Sequence, residues 1–121
     1  MKTYKFKNLN VWNKSVEFVT FVYEITSGFP KEERFGLVDQ IRRASVSITL
    51  NIAEGSGAGS DLEFKRFLKM AQRSAFEVIA ALEVAINLKM ADQASLEEAI
   101  NKVDELSAMM TGLIKKLTAH S

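Results

Sequence analysis

One stretch of this chain constrains it more than any other. Phe64, Leu68, Ala71, Ala75, Val78, Leu82 and Ala85 alternate steps of four and three residues over three heptads. That spacing puts all seven side chains on one stripe of an α-helix, and a stripe that long must be covered by other helices. Ser60-Asp61-Leu62-Glu63 before it reads as a capping box, in which the serine hydroxyl takes a free amide of the first turn and Glu63 reaches back. The pattern predicts a helix over residues 61–90, a rod of roughly 45 Å.

Three further segments carry the same period. Over residues 10–26, Trp12, Val16, Val19 and Tyr23 form one stripe, and Val11, Phe18, Val22 and Ile25 form a second beside it. The resulting face is wider than one neighbouring helix needs. Either the helix is wedged between two others of its own bundle or part of the face is a subunit interface. Ser27-Gly28-Phe29-Pro30 ends it, with a glycine suited to a helix cap and a proline that cannot continue the helix.

A second helix is expected over residues 33–54, on the repeat of Leu37, Ile41, Ala44, Ile48 and Ile52. Gly55-Ser56-Gly57-Ala58-Gly59 breaks it. Phosphate-cradling glycine loops follow a strand, whereas this one follows a helix, so it reads as a flexible turn. The last helix, over residues 96–118, opens on a second capping box at Ser95-Leu96-Glu97-Glu98. Leu96, Ile100, Val103, Leu106, Met110, Leu113 and Leu117 carry it, and Lys115 and Lys116 sit favourably in its last turn. Short connections turn consecutive helices antiparallel. The expected fold is all-α, an elongated up-down-up-down antiparallel four-helix bundle filling residues 1–121 as one domain.

Composition narrows the chemistry. The chain has 121 residues, one proline, no cysteine and a single histidine, His120. Disulfides, thiolate metal sites and cysteine or histidine-dependent nucleophiles are thereby excluded. Carboxylate-bridged metal sites in bundles use Glu-x-x-His pairs, and none is present. No serine-lysine pair stands out. The expectation is a protein that is not an enzyme and uses no cofactor or metal. No stretch resembles an export signal or a membrane span, which points to a cytoplasmic protein with no membrane partner.

Formal net charge is only +1, but it is unevenly distributed. Residues 1–16 hold Lys2, Lys5, Lys7 and Lys14 and no acid, while residues 77–105 hold seven acids against Lys89 and Lys102. Lys65, Arg66, Lys69 and Arg73 fall at helical spacing on one surface of the third helix, where they could track phosphates or form a solvated face. Phe64 and Phe67, interleaved with them, suit the heptad core better than a base-stacking platform.

On the second helix, Gln40, Arg43, Ser47, Asn51 and Glu54 follow one another at three, four, four and three residues along one face. This row is either the wet face of the helix or a buried hydrogen-bonding seam. If buried, Arg43 needs a carboxylate, because an unpaired buried guanidinium is very costly. Glu54 is about 16 Å along the same rod, leaving Glu77 or an acid of a second subunit.

The same helix carries a resemblance. Phe29-Pro30, Glu33-Arg34-Phe35-Gly36-Leu37, Gln40-Ile41-Arg42-Arg43-Ala44, Ser47-Ile48 and Asn51-Ile52-Ala53-Glu54-Gly55 closely resemble the bacterial 23S rRNA-intervening-sequence protein family. Leu9-x-Val11-Trp12, Glu63-Phe64, Arg66-Phe67-Leu68, Ser74-Ala75 and Glu77 extend the likeness over nearly the whole chain. The resemblance implies a four-helix bundle assembled as a homopentameric barrel, with Gln40, Arg43, Ser47, Asn51, Glu54 and Gly55 as signature positions. A similar fold serves as the basic, nucleic-acid-binding accessory protein of diversity-generating retroelements, from which this near-neutral chain departs. The expected function is a homo-oligomer that binds RNA or DNA through Lys65, Arg66, Lys69 and Arg73, with Arg42 and the N-terminal lysines. The alternative is a protein-binding scaffold that touches no nucleic acid.

Overall fold

A computed structural model describes residues 4–119; Lys2 and His120 lie outside the described residues. Four helices, α1 (Asn10–Thr26), α2 (Leu37–Ser56), α3 (Asp61–Asn87) and α4 (Gln93–Ala119), account for most of the described chain. Short 3-10 turns at Lys5–Asn8 and Lys31–Glu33 lead into α1 and α2. No strand occurs among the described residues.

Several expected helix boundaries shift, three of them by a turn or so and for local reasons. Helix α2 starts at Leu37 because residues 31–33 form a 3-10 turn instead of joining it. Helix α4 starts at Gln93 because Asp92, not Ser95, caps it. The Asp92 Oδ2 accepts from the Ser95 amide at 3.2 Å and from the Ser95 hydroxyl at 3.1 Å. Aspartate competes with serine for free first-turn amides and here wins a full turn of helix. Ser60 caps α3 as expected, accepting the Glu63 amide at 3.1 Å. Glu63 turns instead to Arg66, at 2.9 Å, so only half of that capping box forms.

Helix α3 ends at Asn87, three residues short of the expected 90, because a Schellman turn closes it there. The Met90 amide reaches back to the Ala85 carbonyl and the Lys89 amide to that of Ile86, each at 3.0 Å. Lys89 thereby takes φ of +55°, a left-handed conformation usually left to glycine.

The heptad residues do what their spacing demands. Phe64, Leu68, Ala71, Ala75, Val78, Leu82 and Ala85 are all buried, in one core with Ile41, Ile48 and Ile52 of α2 and Leu96, Val103, Leu106 and Met110 of α4. Helix α1 packs on α2 and α4, and α3 packs on α2 and α4. Among the described residues the backbones of α1 and α3, or of α2 and α4, do not approach within 8 Å. The α2–α3 seam is the most extensive, as small buried residues on both sides, Ala44, Ala71 and Ala75, permit close approach.

Four buried hydroxyls donate within their own helices, whereas that of Thr49 is buried with no partner among the described residues. Ser15, Thr26, Ser45 and Ser56 each donate to a carbonyl three or four residues back, at 2.6 to 2.9 Å. Of the two stripes on α1, the inner one is buried through Val11, Phe18 and Val22, while Val16 and Tyr23 of the other are exposed. The bundle thus accounts for the inner stripe and, in the other, for Trp12, which is half-buried against the core, and leaves Val16 and Tyr23 exposed.

Candidate functional surface

The polar row of α2 divides along its length. At its centre, the Ser47 hydroxyl shares a 2.9 Å hydrogen bond with that of Ser74 on α3. Asn51 Nδ2 donates to the Ser47 carbonyl at 2.9 Å and to its hydroxyl at 3.2 Å. Ser47, Asn51 and Ser74 are half-buried, so these three form a short polar bridge across the α2–α3 seam. The ends of the row are wet: Gln40, Arg43 and Glu54 are exposed.

Arg43 is therefore not the buried cation that would require a carboxylate. Its side chain is 78% exposed, and its nearest acid is Asp39, one turn back on the same helix at 3.9 Å. Glu77 is exposed and forms no ion pair with it among the described residues. A solvated guanidinium loses little hydration, which removes the driving force for that pairing.

Gly55 closes the seam at the end of α2. A β-carbon there would stand 2.7 Å from the Phe67 Cβ and 3.0 Å from Phe64 Cδ1. The signature glycine is thus a point of close approach between α2 and the first turns of α3.

The basic surface of α3 is present but uneven. Lys69 and Arg73 are exposed and Lys65 is half-buried, none of them in an ion pair among the described residues. Arg66 is held by Glu63, through Nε at 3.2 Å and Nη2 at 2.9 Å. That hydrogen bond first, and the carboxylate's charge second, hold the Arg66 guanidinium above its ordinary pKa. Phe64 is buried and Phe67 half-buried, in keeping with a core role.

Arg42 does not join this surface. Its Nε donates to the Thr26 hydroxyl at 2.9 Å and its Nη2 to the Tyr23 carbonyl at 3.3 Å. Its guanidinium also lies 4.4 Å from the Tyr23 ring centroid. It ties the end of α1 to α2, on a different flank from Ser47.

Several exposed apolar side chains fall outside the sequence reading of the site. Phe35 in the α1–α2 connection is 88% exposed and Phe76 on α3 is 72% exposed. Leu50, Met70 and Val84 are also exposed on α2 and α3, as is Leu88 just past the end of α3. Their signal in the sequence is weak but definite: Leu50, Met70, Phe76 and Val84 are apolar and lie off the buried stripes of their helices. No group of three His, Cys, Asp or Glu residues among the described residues stands close enough to hold a metal ion. No helix of the described residues is long and apolar enough to cross a membrane.

These features define an all-helical protein of four packed helices, whose polar and basic surface runs along α2 and α3. The chain belongs to the 23S rRNA-intervening sequence protein family, which it matches over residues 7–112. It is similar to a protein of unknown function from the S23 ribosomal protein family of Bacteroides thetaiotaomicron VPI-5482, known from a crystal structure. The two share 28% identity and a TM-score of 0.80, over 87% of this chain and 98% of that one. No curated protein matches the chain.

Proposed function

We propose that the chain is a non-enzymatic, homo-oligomeric helical-bundle protein that binds RNA or DNA through the basic surface of α3. The observation that carries this reading is the pair Lys69 and Arg73, exposed on one face and free of ion pairs among the described residues. Such cations neutralise phosphates and release counterions. Lys65 and Arg66 belong to the same surface, Arg66 with its charge shared with Glu63.

Self-association is supported by apolar side chains left exposed on separate flanks, Val16 and Tyr23 on α1 against Leu50, Met70 and Phe76 on α2 and α3. Two different faces suit a heterologous contact, which gives a ring when its rotation closes; a pentameric barrel is the form that the resemblance implies. The up-down-up-down order belongs to the same reading and is supported by the short connections, the Ser47–Ser74 bond and the Gln72 bond to Thr111, at 2.9 Å each. A cytoplasmic location and catalytic inactivity accompany it.

The test is binding of nuclease-treated protein to labelled structured RNA and duplex DNA over a salt series. Alanine replacing Lys65, Arg66, Lys69 and Arg73 together is expected to flatten a steep salt slope. Absence of binding at low salt would overturn the nucleic-acid reading. The exposed Phe35 and Phe76 would then favour the second reading, a protein-binding scaffold, whose docking should be nearly indifferent to salt.

A further inference from the structure

The packing of the four helices sorts charge in a way the chain order hides. Lys5 lines one hollow with Gly57, Ser60 and Asp61. Leu9 and Val11 line another with Leu113 and Lys116. These contacts bring the start of α1, the end of α2, the start of α3 and the end of α4 to one end of the molecule. That half comprises residues 4–18, 47–74 and 106–119, and it holds nine Lys and Arg against four Asp and Glu, a formal +5. The other half, residues 19–46 and 75–105, holds six against eleven, a formal −5. A chain close to neutral overall is therefore strongly polar from end to end.

The cations of the positive half are available. Lys5, Lys7, Lys14, Lys115 and Lys116 are exposed, and Arg66–Glu63 is the ion pair formed in that half among the described residues. Position along the helices also aligns them. Gln72 of α3 donates to the Ser107 carbonyl and the Thr111 hydroxyl of α4, at 3.0 and 2.9 Å. Lys65 and Lys69 lie seven and three residues before Gln72, and Lys115 lies four after Thr111. Helical periodicity therefore continues both hydrogen-bonded rows into lysines that flank the same α3–α4 seam.

We propose that the nucleic-acid site is this whole basic end, not the α3 surface alone. Lys5 and Lys7 from the N-terminal turn and Lys115 and Lys116 from α4 add phosphate contacts to those of Lys65 and Lys69. The acidic half repels the same ligand, so the polyanion engages one end of the bundle. The inference rests on the nucleic-acid reading above and deepens it. Lysines that form no ion pair among the described residues suit a hydrated phosphate backbone. A protein partner would favour a desolvated, lysine-poor centre.

The experiment uses the full chain with a short RNA hairpin and a short DNA duplex over a potassium chloride series. Two variants, Lys5→Gln with Lys7→Gln and Lys115→Gln with Lys116→Gln, run beside the α3 variant and the acidic-end variant Glu97→Gln with Glu98→Gln. Each lysine that touches a phosphate should lower the duplex salt slope by about 0.9. Both lysine pairs should therefore flatten it, and the acidic-end variant should leave it unchanged. A flattened slope in the α3 variant alone would overturn this inference and leave the broader reading standing. No binding by the wild-type chain would overturn both. If the lysine pairs instead dissolve an assembly seen at low salt while nucleic-acid binding persists, the basic end serves the acidic end of a second copy, and the inference falls. Two independent pairs keep the result decisive if one variant fails to fold.

Discussion

Ser47 on α2 and Ser74 on α3 share a 2.9 Å hydrogen bond across the most extensive seam of the bundle. Asn51 donates to the same Ser47 hydroxyl at 3.2 Å, so one oxygen links two helices and orders a third side chain. In a half-buried seam such a bond is worth about 0.5–1.5 kcal/mol net. Ser47→Ala and Ser74→Ala should each lower stability by about that amount. The double variant should fall short of additivity by at least about 0.5 kcal/mol. Denaturant unfolding of the four proteins measures the coupling; strict additivity would mean that the two hydroxyls act independently.

Gly55 stands where α2 meets the first turns of α3. A methyl group there would sit 2.7 Å from the Phe67 Cβ, a contact that must be relieved by moving backbone or ring. Gly55→Ala should destabilise the protein by about 1–3 kcal/mol, despite the better helix propensity of alanine. A thermal melt that rises on this substitution would show that the seam yields more easily than its geometry implies.

Lys89 makes the opposite case. Its φ of +55° strains an ordinary residue at the end of α3. Lys89→Gly should stabilise the protein by up to about 1 kcal/mol, since glycine reaches this conformation freely. The change is read as a higher denaturant midpoint with an unchanged slope.

Arg42 separates architecture from binding. Removing its bonds to the Thr26 hydroxyl and the Tyr23 carbonyl in Arg42→Met should cost about 1–2 kcal/mol of stability. The salt slope of nucleic-acid binding should stay at the wild-type value. A flattened slope would place Arg42 in the binding surface after all.

The four helices and their buried stripes were legible in the sequence because heptad spacing is a local property. A residue at position i shares a face with those at i+3, i+4 and i+7 whatever the helix packs against. So Phe64, Leu68, Ala71 and Leu82 were readable as core from spacing alone. Helix ends were less legible, because Asp92 and Ser95 are both competent caps and only the folded backbone selects between them.

Tertiary structure decided everything that depends on what lies opposite. Gln40, Arg43, Ser47, Asn51 and Glu54 make one uniform row in sequence, yet α3 covers its centre and leaves its ends in water. Arg42 and Arg43 are neighbours in the chain, but one reaches α1 and the other solvent. Lys5 and Lys116 are 111 residues apart in sequence, and packing sets Lys5 beside the end of α2 and the start of α3 and Lys116 beside the start of α1. Periodicity fixes direction around a helix axis; only packing supplies the neighbour, and with it burial, charge pairing and the separation of a basic end from an acidic one.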